Sequence, residues 1–346
     1  PSFVRDLDTW VDPGLHERIL EQVDAEGAAR TDDWCPGEEI APPADILDAI
    51  KRPPRQVSPD LAAILDKAGA GADLSEAEIV RLFAARGDDF SAVVQAANAI
   101  REAVNGDTVS YVVNRNINYT NICYFKCQFC AFSKGKLSEN LRGRPYDLSD
   151  DEIQRRTIEA WYRGATEVCM QGGIHPEYTG DKYADILRAV KAAVPDMHVH
   201  AFSPLEVWQG AATLEQDLET YLRRLKEAGL GTLPGTAAEI LDDEVRQIIC
   251  ADKINTEQWL AVMEAAHNVG FRTTATIMYG HVERPEHWAR HLMRIRDLQK
   301  RTGGFTEFVP LPFVHMEAPM YLKGKARKGP TFREAVLMHA VARLTL

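Results

Sequence analysis

From residue 109 onward, hydrophobic and polar positions follow two alternating patterns. Short runs rich in β-branched and aromatic residues predict strands, and stretches with apolar residues three and four positions apart predict amphipathic helices between them. This regular alternation predicts an α/β fold with a parallel sheet, either open or closed into a barrel. The predicted strands are residues 109–113, 167–170, 198–202, 231–233, 272–278 and 305–309.

Residues 58–108 form a predicted N-terminal helical segment. Apolar residues recur there with helical periodicity over 74–87 and 90–106, and a glycine ends each stretch. Several predicted helices of the chain begin with a capping box, in which a Ser or Thr precedes the helix and a Glu lies three residues later. The pairs with this spacing are Ser75 and Glu78, Ser149 and Glu152, and Thr331 and Glu334.

The first 57 residues differ in composition from the rest. Eight of the 18 prolines fall within residues 1–59, which predicts an extended Pro-rich linker with one short helix near residues 13–28. We expect Cys35 in this linker to be a solvent-accessible free thiol. Residues 109–346 are the predicted barrel core. Because the chain begins with Pro and ends inside an apparent helix, we expect a piece of a longer protein, with the barrel truncated at its C-terminus.

Charge and composition narrow the classes of function. A net charge of −11 argues against a nucleic-acid binder, which usually has a basic face. No apolar run approaches the roughly 18 residues that span a membrane, and the first residues lack the pattern of a secretory signal. Six cysteines in 346 residues do not suggest a disulfide framework, so we expect a reducing cytoplasm. One local basic group, best explained as a solvated loop, comprises Lys134, Lys136, Arg142 and Arg144.

Ionisable residues follow the predicted strands. In a parallel barrel, the carboxyl ends of the strands deliver their loops to one face, which holds the active site. This pattern favours an enzyme, although turns are often polar for purely structural reasons. That alternative explains the Gly and Pro residues of these loops better than the ionisable ones. The ionisable residues at strand ends are His175, Glu206, Glu239, His281, Glu283 and His315.

Three cysteines lie within eight residues of the loop after the first predicted strand. Cys123, Cys127 and Cys130 have the spacing C-x3-C-x2-C, and the next Cys or His along the chain is Cys169, 39 residues after Cys130. A structural zinc ion takes four closed ligands, and a 4Fe–4S cluster is usually held by four thiolates. Three thiolates would leave one iron open, as catalysis requires. The missing fourth ligand argues against a zinc-stabilised interaction module and against a simple iron–sulfur electron carrier.

This cysteine motif, with the aromatic Phe129 just before the last cysteine, resembles the signature of the radical S-adenosylmethionine (radical SAM) superfamily. The resemblance implies two cofactors, a 4Fe–4S cluster and SAM, and a partial (β/α)6 TIM barrel that could extend toward (β/α)8. In that superfamily, the open iron binds SAM, and one electron from the cluster releases a 5′-deoxyadenosyl radical that takes a hydrogen atom from the substrate.

Other stretches are similar to the SAM-binding pattern of the superfamily. "QGG" after the second strand looks like the motif whose backbone holds the amino group of SAM, and "TIMYGHVE" resembles the pattern G-x-I-x-G-x-x-E with its first Gly and its Ile replaced. We expect Glu239 to contact the ribose. The cofactor-binding residues implied by the resemblance are Phe129, Gln171, Gly172, Gly173, Glu239 and Gly280.

From residue 74 to the end, phrases at every strand end look like the tyrosine-using half of the FO synthase family. They include "NRNINYTNICYFKCQFCAFSKG", "LPGTAAEIL" and "GGFTEFVPLPFVHMEAP". The resemblance implies that L-tyrosine loses its side chain by Cα–Cβ scission and that the 4-hydroxybenzyl fragment joins 5-amino-6-(D-ribitylamino)uracil, a step in the biosynthesis of the deazaflavin of coenzyme F-420. The implied protein partners are a one-electron reductant of the flavodoxin or ferredoxin type and the other radical SAM half of FO synthase.

Radical SAM enzymes of the menaquinone pathway, which act on futalosine-type substrates, are the nearest alternative and share the "QGG-x-HP" phrase. The substrates of the tyrosine enzyme need partners for an amino-acid zwitterion and a ribityl chain. His198 and His200 alternate within one strand and therefore face one side. The residues we select as catalytic candidates are His175, Glu206, Tyr279 and His281.

Overall fold

The computed structural model describes residue 4, residues 6–132 and residues 144–346. Its sheet has six parallel strands, hydrogen-bonded in the order of the chain. This order confirms the predicted α/β fold and partial barrel. Three of the four residues of the predicted basic group, Lys134, Lys136 and Arg142, lie outside the described residues. The strands are β1 (Asn114–Asn118), β2 (Glu167–Gln171), β3 (His198–Ala201), β4 (Thr232–Leu233), β5 (Arg272–Tyr279) and β6 (Phe305–Pro312).

Helices precede the sheet, connect its strands and follow it. Among the described residues, none of these helices combines the length and apolar character needed to cross a bilayer. A 3-10 turn also occurs at Pro13–Leu15. The helices are α1 (Leu7–Trp10), α2 (His16–Glu21), α3 (Ala44–Lys51), α4 (Pro59–Gly69), α5 (Glu76–Phe83), α6 (Asp88–Asn105), α7 (Asp150–Tyr162), α8 (Gly180–Ala193), α9 (Pro204–Thr213), α10 (Leu218–Ala228), α11 (Asp243–Ile249), α12 (Thr256–Asn268), α13 (Pro285–Thr302), α14 (Pro319–Leu322) and α15 (Phe332–Thr345).

The first strand is the one strand whose predicted position was wrong. Residues 109–113 are apolar but exposed, and β1 is the polar sequence "NRNIN" that follows them. Pairing with β2 selects these residues, because Arg115 and Ile117 then face α7. Ile117 is fully buried, and Arg115 donates to Glu159 of α7 at 2.8 Å. Tertiary contacts thus override the higher strand propensity of the preceding valines.

Side chains alternate between the two faces of the sheet. Val168 and Met170 of β2, with Val199 and Ala201 of β3, are fully buried against the surrounding helices. We call the opposite side the inner face. Residues Asn116, Cys169, His200 and Thr232 lie on it, and strand pairing places them side by side in one row across β1 to β4.

The observed helix caps confirm two of the three predicted capping boxes. Ser75 and Glu78 form a capping box, and so do Thr331 and Glu334. Ser149 accepts from the backbone of Glu152, but the Glu152 carboxylate binds Arg155 and Arg156 instead of returning to the cap. The predicted helix over 74–87 ends earlier than expected, at Phe83, because Gly87 is the N-cap of α6.

The Pro-rich N-terminal segment packs on the rest of the chain instead of extending away from it. It contains α3, which the sequence analysis did not predict, in addition to the helices near residues 13–28. Arg30 donates to the carbonyl of Gly329 at 2.9 Å, and the Trp34 ring meets Phe332 at 5.2 Å. The prediction of a solvent-accessible Cys35 is therefore wrong, since this packing leaves the residue 2% exposed. The domain boundaries at residues 57 and 108 stay a prediction.

Candidate active site

A cavity of about 250 Å³ opens at the carboxyl ends of β1 to β4. Loops that follow four different strands build its wall, which is where a parallel barrel places its active site. The loop after β1 supplies the three clustered cysteines. The loops after β2, β3 and β4 supply both polar and apolar side chains. The lining residues are Cys123, Phe125, Cys127, Phe129, Cys130, Phe132, Gln171, Gly172, Gly173, Ile174, Ser203, Leu205, Glu206, Thr236, Ala237, Glu239 and Lys253.

The cysteine loop is fixed by hydrogen bonds to other parts of the fold. The amide of Tyr124 donates to the carbonyl of Ile174 at 3.2 Å, and the amide of Gln128 donates to the carbonyl of Ile249 at 2.8 Å. The Asp252 carboxylate accepts from the amide of Lys126 at 2.9 Å. These anchors lie after β2 and at the end of α11, so the loop is held from two sides of the cavity.

The three thiols line the wall of one cavity, as three ligands of a single metal centre must. Burial raises the pKa of Cys123 and of Cys127, so both thiols are protonated until a metal replaces the proton.

The turn after β2 requires glycine at two positions because of close approach. A Cβ at Gly173 would lie 2.3 Å from the carbonyl oxygen of Ile122, and one at Gly172 would lie 2.4 Å from the Tyr119 ring. The Gly173 amide donates to the carbonyl of Thr120 at 2.9 Å. The turn therefore packs directly against the backbone that leads into the cysteine loop.

Glu206 is buried at the base of the cavity and joins three elements. Its carboxylate accepts from the amide of Ser203 at 2.6 Å, which completes the capping box of α9, and from the amide of Gly172 at 3.1 Å. It also accepts from the Tyr119 hydroxyl. Burial raises the pKa of Glu206, but these donors oppose the shift. The side chain selected as catalytic from the sequence therefore holds the glycine turn in place.

Lys253 and Glu239 form a buried ion pair in the cavity wall, with Nζ 2.6 Å from Oε1. Burial would raise the pKa of Glu239, but the charge and hydrogen bond of Lys253, together with the charge of Arg246, outweigh burial and lower it. Burial would likewise lower the pKa of Lys253, but Glu239 raises it. Both groups are therefore charged. Lys253 also lies 5.5 Å from the centre of the Phe129 ring, which places its charge beside the cysteine loop.

A family model described as "Radical SAM superfamily" matches residues 117–295, which span β1 to α13 and include every part of this cavity. The chain belongs to the radical SAM superfamily. Radical SAM proteins use a 4Fe–4S cluster and SAM, so the two predicted cofactors are confirmed. The prediction of a radical SAM enzyme is confirmed with them.

Curated relatives of this radical SAM protein are FO synthases and a related transferase. FO synthase of Mycobacterium leprae is 47% identical over 333 residues, which are 95% of this chain and 38% of the relative. FO synthase of Mycobacterium tuberculosis H37Rv is 50% identical over 86% of this chain and 34% of its own length. The chain thus spans about a third of these FO synthases. The 5-amino-6-(D-ribitylamino)uracil–L-tyrosine 4-hydroxyphenyl transferase of Methanothermobacter thermautotrophicus is 46% identical over 78% of this chain and 73% of the relative.

Solved structures confirm the fold. The FeFe-hydrogenase maturase HydG aligns with a TM-score of 0.61 at 17% identity, over 87% of this chain and 64% of HydG. Methylornithine synthase (PylB) aligns with a TM-score of 0.52 at 16% identity, over 75% of this chain and 70% of that protein. Both share the partial barrel fold of this chain.

The structure does not bring all the predicted site residues of this radical SAM domain to the cavity. Tyr279 is fully buried, with its ring centre 6.1 Å from that of Trp288 of α13. His281 is also fully buried, and its Nδ1 lies 2.9 Å from the Glu283 carboxylate. A Cβ at Gly280 would meet Pro330 at 2.2 Å. These residues join β5 to the segment before α15.

His175 lies next to the cavity of the radical SAM domain without lining it. Its neighbour Ile174 lines the wall, while the imidazole stacks on Tyr178 with 4.7 Å between the ring centres. Its Nδ1 accepts from the amide of Glu177 at 3.1 Å. His315 is buried elsewhere on the rim, 3.7 Å from Glu38 of the N-terminal segment.

Two residues near the cavity were missed in the sequence analysis. Lys253 follows α11 in the phrase "DKINTEQW", which was noticed only as part of the family resemblance. Tyr119 directly precedes the cysteine loop in "NYTNIC" and donates to Glu206. Neither has a spacing that indicates its partner, because Glu206 lies 87 residues from Tyr119 and α11 separates Glu239 from Lys253.

Replacing Glu206 by glutamine should weaken SAM binding about tenfold. The glutamine NH2 group is a donor, and it would face hydrogen-bond donors such as the amide of Gly172 or the hydroxyl of Tyr119. The loss of one or two buried hydrogen bonds costs about 1–3 kcal/mol and would loosen the turn at Gly172. The measurement is equilibrium binding of SAM to the reconstituted protein. Glu78→Gln is the matched control, because Glu78 fills the same place in the capping box of α5, away from the cavity. Equal SAM affinity for both variants would contradict the positioning role.

Proposed function

We propose that this chain joins the 4-hydroxybenzyl group of L-tyrosine to 5-amino-6-(D-ribitylamino)uracil, in the biosynthesis of the deazaflavin FO. The observation that carries the proposal is the 46% identity with the tyrosine hydroxyphenyl transferase, of which the chain covers 73%. The similarity extends over 78% of this chain. The chain covers about a third of the FO synthases. We therefore also propose that it is one half of an enzyme with two radical SAM halves.

The residues of the cavity fit the two cofactors. Cys123, Cys127 and Cys130 would each bind one iron and leave the fourth iron to the amino and carboxylate groups of SAM. The glycine turn at residues 171–173 would hold the SAM amino group through its backbone, since a Cβ at Gly173 has no space. When bound, the cluster and SAM together supply the one-electron chemistry that removes a hydrogen atom from tyrosine.

The chain's own residues position the reactants and keep water out. Phe125, Leu205 and Ala237 are buried side chains of the cavity wall, and Phe129 lines the same cavity. Such a wall protects reactive intermediates from solvent. The charged pair of Glu239 and Lys253 supplies polar contacts at the same place, and the Glu239 carboxylate is the group proposed to contact the ribose of SAM.

Roles for the other predicted residues follow from their surroundings. Glu206 acts by holding Gly172, and His175 lies close enough to the cavity to contact substrate after a local movement. Tyr279, Gly280 and His281 serve the packing of β5 against the segment that precedes α15, away from the reacting atoms. Of the four catalytic candidates, we therefore retain His175 for contact with substrate.

Two protein partners complete the proposal. An electron donor of the flavodoxin or ferredoxin type would reduce the cluster, and the other radical SAM half of FO synthase would receive the adduct for ring closure. The reducing cytoplasm stays our predicted location, since reduced thiols are needed to assemble the cluster.

Anaerobic reconstitution should give about four irons per chain, as expected for a single cubane. With SAM and a reductant, the protein should form 5′-deoxyadenosine faster when tyrosine and the ribityl diaminouracil are both present. Mass spectrometry should detect the hydroxybenzyl adduct and glyoxylate. Phenylalanine in place of tyrosine is the matched control for the amino acid. Turnover of a futalosine-type substrate, with no consumption of tyrosine, would overturn the proposal.

A further inference from the structure

Two histidines on the inner face share one hydroxyl group. Nε2 of His198 lies 2.8 Å from Oγ1 of Thr232, and Nδ1 of His200 lies 2.7 Å from the same oxygen. His198 and His200 are two residues apart on β3, and Thr232 pairs with His200 across β3 and β4. None of the three belongs to the cavity described above.

The shared hydroxyl couples the hydrogen positions of the two rings. Thr232 has one hydrogen to donate and can accept from another group. When both imidazoles are neutral, one ring must donate to Oγ1 and the other must accept from it. The free nitrogen of the first ring is then an acceptor, and the free nitrogen of the second ring is a donor. Among the described residues, no hydrogen bond involves Nδ1 of His198 or Nε2 of His200.

The surroundings of His200 favour its neutral form. Burial and, to a smaller extent, the nearby His198 together lower the pKa of His200 to about 4. The acidic group nearest to the pair is Glu167, 3.8 Å from Nε2 of His198. Arg115 of β1 is turned to Glu159 of α7, and Arg272 of β5 donates to the carbonyl of Gly303. The guanidinium groups of Arg115 and Arg272 therefore bind other partners and not the two histidines.

We propose that His198, His200 and Thr232 bind the ribityl chain of the uracil substrate through the two free imidazole nitrogens. The inference rests on the proposed function and adds the specificity for the polyol. A diol fits because each aliphatic hydroxyl both donates and accepts, so two hydroxyls can satisfy one donor and one acceptor. The same site suits the tyrosine zwitterion poorly, since it offers no charged partner for the tyrosine carboxylate.

The depth of the site agrees with this assignment. Ser203 lines the cavity, and His200 lies on β3 three residues before it in the chain. The hydroxybenzyl fragment forms beside SAM at the rim, so carbon 5 of the uracil must lie near the rim as well. The ribityl chain, attached at carbon 6, can then extend down the inner face toward His200 and His198.

Thr232→Val tests the proposal, because valine keeps the shape of the side chain but removes the hydroxyl. Thr232→Ser, which keeps the hydroxyl, is the matched control. Each protein is assayed with 5-amino-6-(D-ribitylamino)uracil and with 5,6-diaminouracil, which lacks the ribityl chain. We expect Thr232→Val to raise KM for the ribityl substrate about tenfold, the size expected for one or two neutral hydrogen bonds. Its kcat/KM for 5,6-diaminouracil and its iron content should not change.

The ratio of kcat/KM between the two uracils separates the possible outcomes. A ratio that falls about tenfold in Thr232→Val and is restored in Thr232→Ser supports the polyol site. An unchanged ratio in Thr232→Val overturns the polyol site and leaves the proposed function intact. If wild-type protein converts neither uracil, the proposed function fails and the inference fails with it. A parallel loss with both uracils overturns the inference in favour of a purely structural role.

Discussion

Replacing Cys127 by alanine is expected to abolish SAM cleavage while the sheet keeps its fold. Cys127 lies in the loop after β1, and its removal leaves two thiolates for a cluster that needs three protein ligands here. The strands of the sheet pair with one another and do not depend on this loop. The expected result is a fall in 5′-deoxyadenosine formation of at least a thousandfold, with iron per chain strongly reduced. Chromatography of the nucleoside and an iron assay measure both.

Cys35→Ala is the matched control for this experiment. Cys35 is also a buried thiol, but it lies in the N-terminal segment outside the cavity. It should keep full iron content and SAM cleavage. Circular dichroism of Cys127→Ala should retain the spectrum of the wild-type apoprotein. Global unfolding of Cys127→Ala would point to a structural metal, and retained SAM cleavage would remove the three-cysteine cluster from the mechanism.

The chemistry that the sequence indicated correctly was carried by short local motifs. The C-x3-C-x2-C spacing places three ligands in one loop, so Cys123, Cys127 and Cys130 line one cavity without help from distant residues. The role of the "QGG" stretch in SAM binding stays a prediction, although Gly173 is needed where two backbones meet. The order of strands also followed directly, since a regular strand–helix alternation has few topologies.

Residues whose roles depend on distant contacts were not predictable in this way. Glu206 has the spacing of a capping box with Ser203, but its bond to Gly172 depends on how β2 and β3 lie side by side. Lys253 follows α11 and reaches Glu239 only because both loops turn into the cavity. Tyr279 and His281 looked like rim residues, yet their side chains pack outward on α13 and toward Glu283.

Gly173→Ala is the second substitution expected to have a large effect, in this case on SAM binding. Its Cβ would lie 2.3 Å from the carbonyl oxygen of Ile122 and 2.9 Å from Cβ of Cys123. The first of these neighbours is backbone, so the conflict cannot be relieved by a side-chain rotation. Either the turn or the cysteine loop must move, at a cost of about 1–3 kcal/mol for overpacking. At about 1.4 kcal/mol for each factor of ten, we expect SAM affinity to fall by up to about a hundredfold and iron content to fall with it.

The control for Gly173→Ala is Gly69→Ala, because a Cβ at Gly69, the last residue of α4, meets nothing within 4 Å. Alanine there should leave SAM affinity unchanged and slightly raise the thermal midpoint, since it restricts the unfolded chain. Calorimetry of SAM binding to both reconstituted variants makes the comparison. Normal SAM affinity in Gly173→Ala would show that the turn can yield without disturbing the cysteines. The close contact between Gly173 and the cysteine loop would then have no role in holding the cofactor.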